Sequence, residues 1–186
     1  MNGGIGLDRL SLNQATVKRL GLREAAGLCV RHEIPAIGLW RDRVAETGLA
    51  EAAAVVRAAG LRVSSLGEAV DLAALFPAEA VGVVVDTYHV WWDARLAGEI
   101  ARAGRRIVSF QVCDWVLPLP ADTLLGRGHL GDGCIDFGPI AAAVSAAGYS
   151  GDVEVEIFNA QVWDAPPDQT AAKVRERFAA VLGGAP

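Results

Sequence analysis

Cysteine, histidine and aromatic side chains are all scarce in this chain of 186 residues. Its three cysteines, Cys29, Cys113 and Cys134, are far apart, odd in number and form no Cys-x-x-Cys pair. That excludes a disulfide framework and fits a reducing, cytoplasmic compartment. Basic residues are short as well: 17 Lys and Arg stand against 22 Asp and Glu, a formal net charge of −5. Duplex-binding proteins carry a basic footprint, so no nucleic-acid partner is expected. No apolar run of about 18 residues is free of charge, and no signal-peptide pattern opens the sequence, so no membrane association is expected either. Neither GxGxxG nor GxxxxGK with a following Ser or Thr comes after the first predicted strand, which argues against a nucleotide cofactor.

What the chain has in quantity is apolar residues, 52% of the total. That fraction excludes a disordered chain, which could not bury enough surface to offset its ordering entropy. At about 100–200 residues per domain, residues 1–186 read as a single domain. A chain of this length buries roughly two thirds of its unfolded surface, enough for a core without staples.

Short apolar runs alternate with longer amphipathic stretches. The spacing predicts strands over residues 10–17, 36–40, 61–66, 81–86, 107–114 and 152–158. It predicts helices over 22–33, 49–59, 68–76, 94–103, 137–147 and 168–182. Residues 41–48 read as a loop, and a long Gly/Pro loop follows the fifth strand. Six strand–helix units in strict alternation imply parallel strands with right-handed crossovers, as an open doubly wound sheet or a barrel. In both, chemistry sits at the carboxyl ends of the strands.

Polar residues gather at those ends. Asp86 closes VGVVVD, Gln111 and Asp114 lie late in IVSFQVCD, and Glu154 and Glu156 lie in DVEVEIF. Side chains alternate across a strand, so the two glutamates share one face and Val153, Val155 and Ile157 share the other. The apolar face meets the outer helices, which turns the glutamates inward, where an unpaired carboxylate is costly. By the same alternation Ser109, Gln111 and Cys113 point one way, and Val108, Phe110 and Val112 the other. Oxygen donors Asp86, Gln111 and Glu156, with His89 three residues past Asp86, suit a divalent ion of the Mn²⁺ or Mg²⁺ type. An interior network of ion pairs and hydrogen bonds without metal accounts for the same spacing equally well.

The stretch LGRGHLGDGCIDFGPI (residues 125–140) is the second feature. Its glycines permit tight turns near a ligand, and Arg127 can clamp a carboxylate, a phosphate or a sugar hydroxyl. An ordinary surface turn into a helix capped by Asp136 is the plainer reading. Trp91, Trp92 and Trp115 lie just beyond strand ends, where their ring faces could wall a polyol pocket, pack in the core or serve an oligomer interface.

The segments VGVVVDTYHVWWD, IVSFQVCDW, RGHLGDGCIDFGPI and VEVEIF resemble the last three barrel strands of the xylose-isomerase-like TIM-barrel superfamily of sugar and sugar-phosphate isomerases and epimerases. SLNQAT, AIGLW and LRVSSL resemble its first three. The resemblance implies a divalent-metal-dependent reaction in which a proton next to a carbonyl is removed through an enediolate. It assigns Asp86, Gln111 and Glu156 as metal ligands and Glu156 as the proton-transfer group. His89, Arg127, Asn13 and Trp115 are implied as substrate contacts, and the cofactor as Mn²⁺ or Mg²⁺. A sugar or sugar phosphate is the implied small-molecule partner.

An eight-stranded barrel takes typically about 250 residues, so the chain falls short by about two strand–helix units. LRVSSL runs straight into the next helix at residues 66–67, which places an internal deletion there. The expected fold is therefore a parallel (β/α) barrel of the TIM type, shortened to about six units and open or incomplete. The first metal-ligand glutamate of the family has no counterpart, so Glu154, Glu33 or a partner subunit would have to replace it. Two alternatives follow. One is an inactive shortened barrel that binds a sugar-like ligand or forms a homo-oligomer through open strand edges. The other is a lyase resembling inosose dehydratase. A DNA-repair nuclease of the same superfamily would need more histidines for zinc than the three present.

Overall fold

Strands buried on both faces form the centre of the fold. In the computed structural model, which describes residues 5–66 and 82–183 (without the side chains of 41, 50 and 62–66), strands β1 (Leu10–Asn13) and β2 (Ala36–Leu39) are buried at every position. Strands covered by helices outside and packed inside expose neither face to solvent, so the polar Ser11 and Asn13 of β1 are buried with the rest. β3 (Arg62–Leu66), β4 (Val83–Asp86), β5 (Ile107–Val112) and β8 (Val153–Val155) complete one six-stranded sheet. Between β5 and β8, β6 (Asp114–Trp115) and β7 (Arg127–Gly128) form a separate antiparallel pair.

Every pairing in the large sheet is parallel, and the order is β3-β2-β1-β8-β5-β4. First and last strands lie side by side, which is the seam of a barrel. The two end strands, β3 and β4, follow each other in the chain, and no pairing joins them among the described residues. This is the expected shortened barrel. The helix expected over 68–76, and the start of the strand expected at 81, lie outside the described residues.

The outer layer follows its apolar periodicity. In α1 (Leu22–Arg31) the buried residues Leu22, Ala25, Ala26, Leu28 and Cys29 form one stripe, and Glu24 accepts from Gly21 N at 2.9 Å to close its first turn. In α8 (Pro167–Leu182) Thr170, Ala171, Val174, Phe178 and Leu182 make the same kind of stripe behind a proline in the first turn. α3 (Leu49–Ala58), α5 (Leu96–Ala103) and α6 (Phe137–Ala146) fall where helices were expected. No described helix is long and apolar enough to cross a membrane.

Three local departures have clear causes. The strand expected over 10–17 stops at Asn13, whose Oδ1 accepts from Ala15 N at 2.8 Å and turns the chain into a 3-10 turn over Gln14–Val17. Residues 41–48 are mostly helix, α2 (Arg41–Thr47), supported by an Arg43–Glu46 pair at 2.7 Å and by packing on α3. Val108 does not face the outer helices. A register shift between β4 and β5 at Val83/Val84 leaves it 57% exposed, whereas Phe110 and Val112 are fully buried as the alternation requires. The short helices α4 (Thr87–Val90) and α7 (Ala160–Asp164) begin where Asp86 and Asn159 accept from the backbone N–H two residues on.

Candidate functional site

Four of the strands, β1, β4, β5 and β8, deliver polar side chains at or near their carboxyl ends. Asn13 ends β1, Asp86 ends β4, Gln111 is the penultimate residue of β5, and Glu156 follows β8 directly. The register sets Gln111 opposite Glu154 and Asp86 opposite Gln111. Asn13, Asp86, Glu154 and Glu156 are all buried. The alternation argument for the two glutamates therefore holds: both reach Asn13, whose Nδ2 donates to Glu154 Oε1 at 2.9 Å and Glu156 Oε1 at 3.1 Å.

Room for Glu154 comes from β2, on the far side of β1 in the sheet. A Cβ at Gly38 would overlap Glu154 Oε2 and sit 3.1 Å from Asn13 Nδ2. Only a glycine in β2 lets the carboxylate lie across it.

Arg127 is the centre of the cluster. Its Nη1 donates to Asp86 Oδ2 and Glu156 Oε2, both at 3.1 Å, and its Nη2 lies 3.1 Å from His89 Nε2. The guanidinium packs over the rings of Tyr88 and Phe158, at 4.7 and 4.9 Å from their centroids. Its side chain is 4% exposed. Its Nε is buried with no hydrogen-bond partner among the described residues. Asn159 Nδ2 donates to Arg127 O at 2.8 Å and ties the backbone of β7 to the end of β8.

Asp114 shapes the loop that carries Arg127. Its Oδ2 accepts from Gly131 N and Gly133 N at 2.9 Å each, and its Oδ1 from Trp115 N at 2.8 Å and Ile135 N at 3.0 Å. Gly131 has φ 82, a conformation that favours glycine. A strand-end aspartate followed by a glycine-rich loop full of free N–H groups was the signal for this role.

Burial pushes the Glu156 carboxyl up to about 7; Arg127 opposes that rise, while Asp86 and Glu154 add to it. A carboxyl group poised near neutrality suits proton transfer. Burial likewise pushes the Cys113 thiol well above its ordinary value, so it stays protonated 3.6 Å from Arg127 Nη1.

The structure thus unites Asp86, Glu156, Arg127, His89 and Asn13. Gln111 joins the same interior from a different side, with its Nε2 on Glu154 Oε1 at 2.7 Å. Trp115 reaches the centre through Tyr88, on which it stacks at 4.7 Å. Trp91 packs on Trp115 at 5.8 Å, while Trp92 is 69% exposed and walls nothing. Glu33 cannot replace the missing glutamate: it pairs with Arg175 at 3.0 Å after α1, at the opposite ends of the strands. Tyr88, Phe158 and Asn159, which hold Arg127, were not singled out by the sequence. A cleft of about 380 Å³ between α5 and α6 meets this site at Trp91 and is lined by none of Asn13, Asp86, His89, Arg127 and Glu156.

The family resemblance implies a bound dication at this centre. Such an ion takes several oxygen ligands. Among the described residues no group of three or more His, Cys, Asp and Glu could hold one. The point on which Asp86 and Glu156 converge carries Arg127 Nη1 instead. As arranged, the described residues do not fit the metal.

Fold and site together define a parallel (β/α) barrel, shortened, with its polar centre at the carboxyl ends of the strands. The chain belongs to the xylose isomerase-like TIM barrel family, whose model matches residues 45–180. Among solved structures it is similar to protein SMc04130 from Sinorhizobium meliloti 1021, at 29% identity and TM-score 0.84, covering 96% of this chain and 100% of that one. It is also similar to an IOLI protein crystallised with a zinc atom, at 14% identity and TM-score 0.69, covering 94% and 98% of the two chains. A third likeness is to a D-allulose 3-epimerase from Methylomonas sp., at 13% identity and TM-score 0.64, again covering 94% and 98%. The last two show the fold alone. No curated protein matches the chain.

Proposed function

We propose that the chain is a cytoplasmic isomerase or epimerase that moves a proton next to the carbonyl of a sugar or sugar phosphate. The observation that carries this reading is Glu156, whose carboxyl is pushed up to about 7 by burial, beside a buried guanidinium whose Nε has no hydrogen-bond partner among the described residues. In the step, the Glu156 carboxylate takes the proton from the carbon beside the carbonyl. The C–H pair becomes the new C=C bond, and the carbonyl π pair moves onto oxygen to give the enediolate. Arg127 Nε–H donates to that oxygen, where charge develops. Glu156 then returns its proton to the former carbonyl carbon, and the hydroxyl proton moves to the other oxygen, completing an aldose–ketose isomerisation.

One carboxyl group suffices for that transfer, because the proton leaves and returns on one face. Epimerisation needs delivery to the opposite face, hence a second acid. His89, whose side chain is 56% exposed, is open to substrate, and the rings of Tyr88 and Trp115 form an apolar wall. The family resemblance expects Mn²⁺ or Mg²⁺ on Asp86, Gln111 and Glu156, so the assay is run with and without each ion. A panel of ketoses and ketose phosphates in heavy water is expected to gain deuterium, and Glu156→Gln to abolish the exchange. Failure of the wild-type chain to exchange any of them, under any of these conditions, overturns the reading.

A second reading, a catalytically silent barrel that self-associates, is supported by the sheet's two ends. β3 and β4 are each paired on one side only among the described residues, and open strands invite pairing. It predicts a dimer in size-exclusion chromatography together with no exchange.

A further inference from the structure

We infer that Arg127 is the resident cation of this centre, standing where the family would place a dication, and that the chain holds its carboxylate pair without a metal. Arg127 Nη1 is 3.1 Å from Asp86 Oδ2 and 3.1 Å from Glu156 Oε2, so one nitrogen already satisfies the two oxygens that face each other. A guanidinium cannot leave as a neutral group, because it stays protonated in proteins. Nor is it free to swing away. Tyr88 and Phe158 pack against it, His89 Nε2 lies 3.1 Å from its Nη2, and Asn159 Nδ2 donates to its backbone carbonyl. A dication would have to displace a cation held by all of these neighbours. His89 Nε2 lies 3.5 Å from Asp86 Oδ2 and Cys113 Sγ 3.6 Å from Arg127 Nη1, yet among the described residues no group of three or more His, Cys, Asp and Glu is arranged to take the ion in return. The amide that the resemblance assigns as a ligand, Gln111, already donates to Glu154.

The test is a titration of the chelator-treated full chain with Mn²⁺, read by calorimetry and by Tm. The wild-type protein is expected to show no saturable heat and no change in Tm, since a ligand that does not bind the folded state cannot shift it. Arg127→Met leaves Asp86 and Glu156 facing each other without their cation. Its Tm is expected to fall, and added Mn²⁺ to raise it. Should that variant not fold, the wild-type titration alone decides. One Mn²⁺ per wild-type chain, lost in both Asp86→Asn and Glu156→Gln, overturns the inference. Binding that survives both substitutions lies elsewhere and agrees with it. Because metal binding is the readout, this outcome is independent of whether any ketose is turned over.

Discussion

Gln111 and Glu154 stand opposite each other in the parallel ladder of β5 and β8, and the amide Nε2 of one donates to the carboxylate of the other at 2.7 Å. With Asn13 on the same oxygen, the fully buried Glu154 is held by neutral donors and leaves Arg127 to Glu156 and Asp86. Glu154→Ala would strand both amides in the interior. It is expected to destabilise the fold by about 3 kcal/mol, and Glu154→Gln by roughly 1 kcal/mol because one acceptor survives. Urea unfolding of the two variants checks the order as well as the size.

Gly38 gives the same carboxylate its space. An added methyl would overlap Glu154 Oε2, a fixed and hydrogen-bonded group rather than a flexible end. Gly38→Ala is expected to lose about 1–3 kcal/mol, the range for overpacking a filled interior. An unchanged urea midpoint would show that Glu154 can move aside.

How much of this could be read beforehand depends on range. The inward direction of Glu154 and Glu156 followed from two-residue alternation along one strand. The partner of Gln111 did not, because two inward glutamates were available and only the β5–β8 register selects Glu154. Arg127 was legible as a clamp, but not as the group between Asp86 and Glu156. Its placement depends on the antiparallel β6–β7 pair and on Asp114, contacts that no local pattern encodes. Helix α2 was missed because its seven residues carry too few apolar positions for a period.

Asp114 supports a third expectation. It is fully buried and accepts from the amides of Trp115, Gly131, Gly133 and Ile135. Asp114→Ala leaves those donors without their acceptor and is expected to cost on the order of 3–5 kcal/mol. Hydrogen exchange gives the sharper check. The amides of 131, 133 and 135 should lose protection in the variant ahead of those in β1 and β2, and equal loss everywhere would mean that Asp114 serves the whole core rather than this loop.

His129 gives the pH dependence. Burial, then the positive charge of Lys173, lowers its imidazole to about 4, with Arg177 adding to the effect and Asp132 opposing it. The folded chain therefore keeps His129 neutral while the unfolded chain protonates it below its ordinary value of 6.5. Between those two values the unfolded state binds the extra proton, so this residue's contribution to stability falls as pH drops from 6.5 towards 4. At 1.36 kcal/mol per unit, the full loss is on the order of 3 kcal/mol. Glu156 acts with the opposite sign, since its raised carboxyl favours the fold as pH falls below about 7. The two are separated by difference. His129→Gln removes the imidazole and leaves Glu156 in place, so the stability gap between wild type and variant should move in the variant's favour on going from pH 7 to pH 5. A gap that stays constant across that range would show that His129 titrates alike in the folded and unfolded chain.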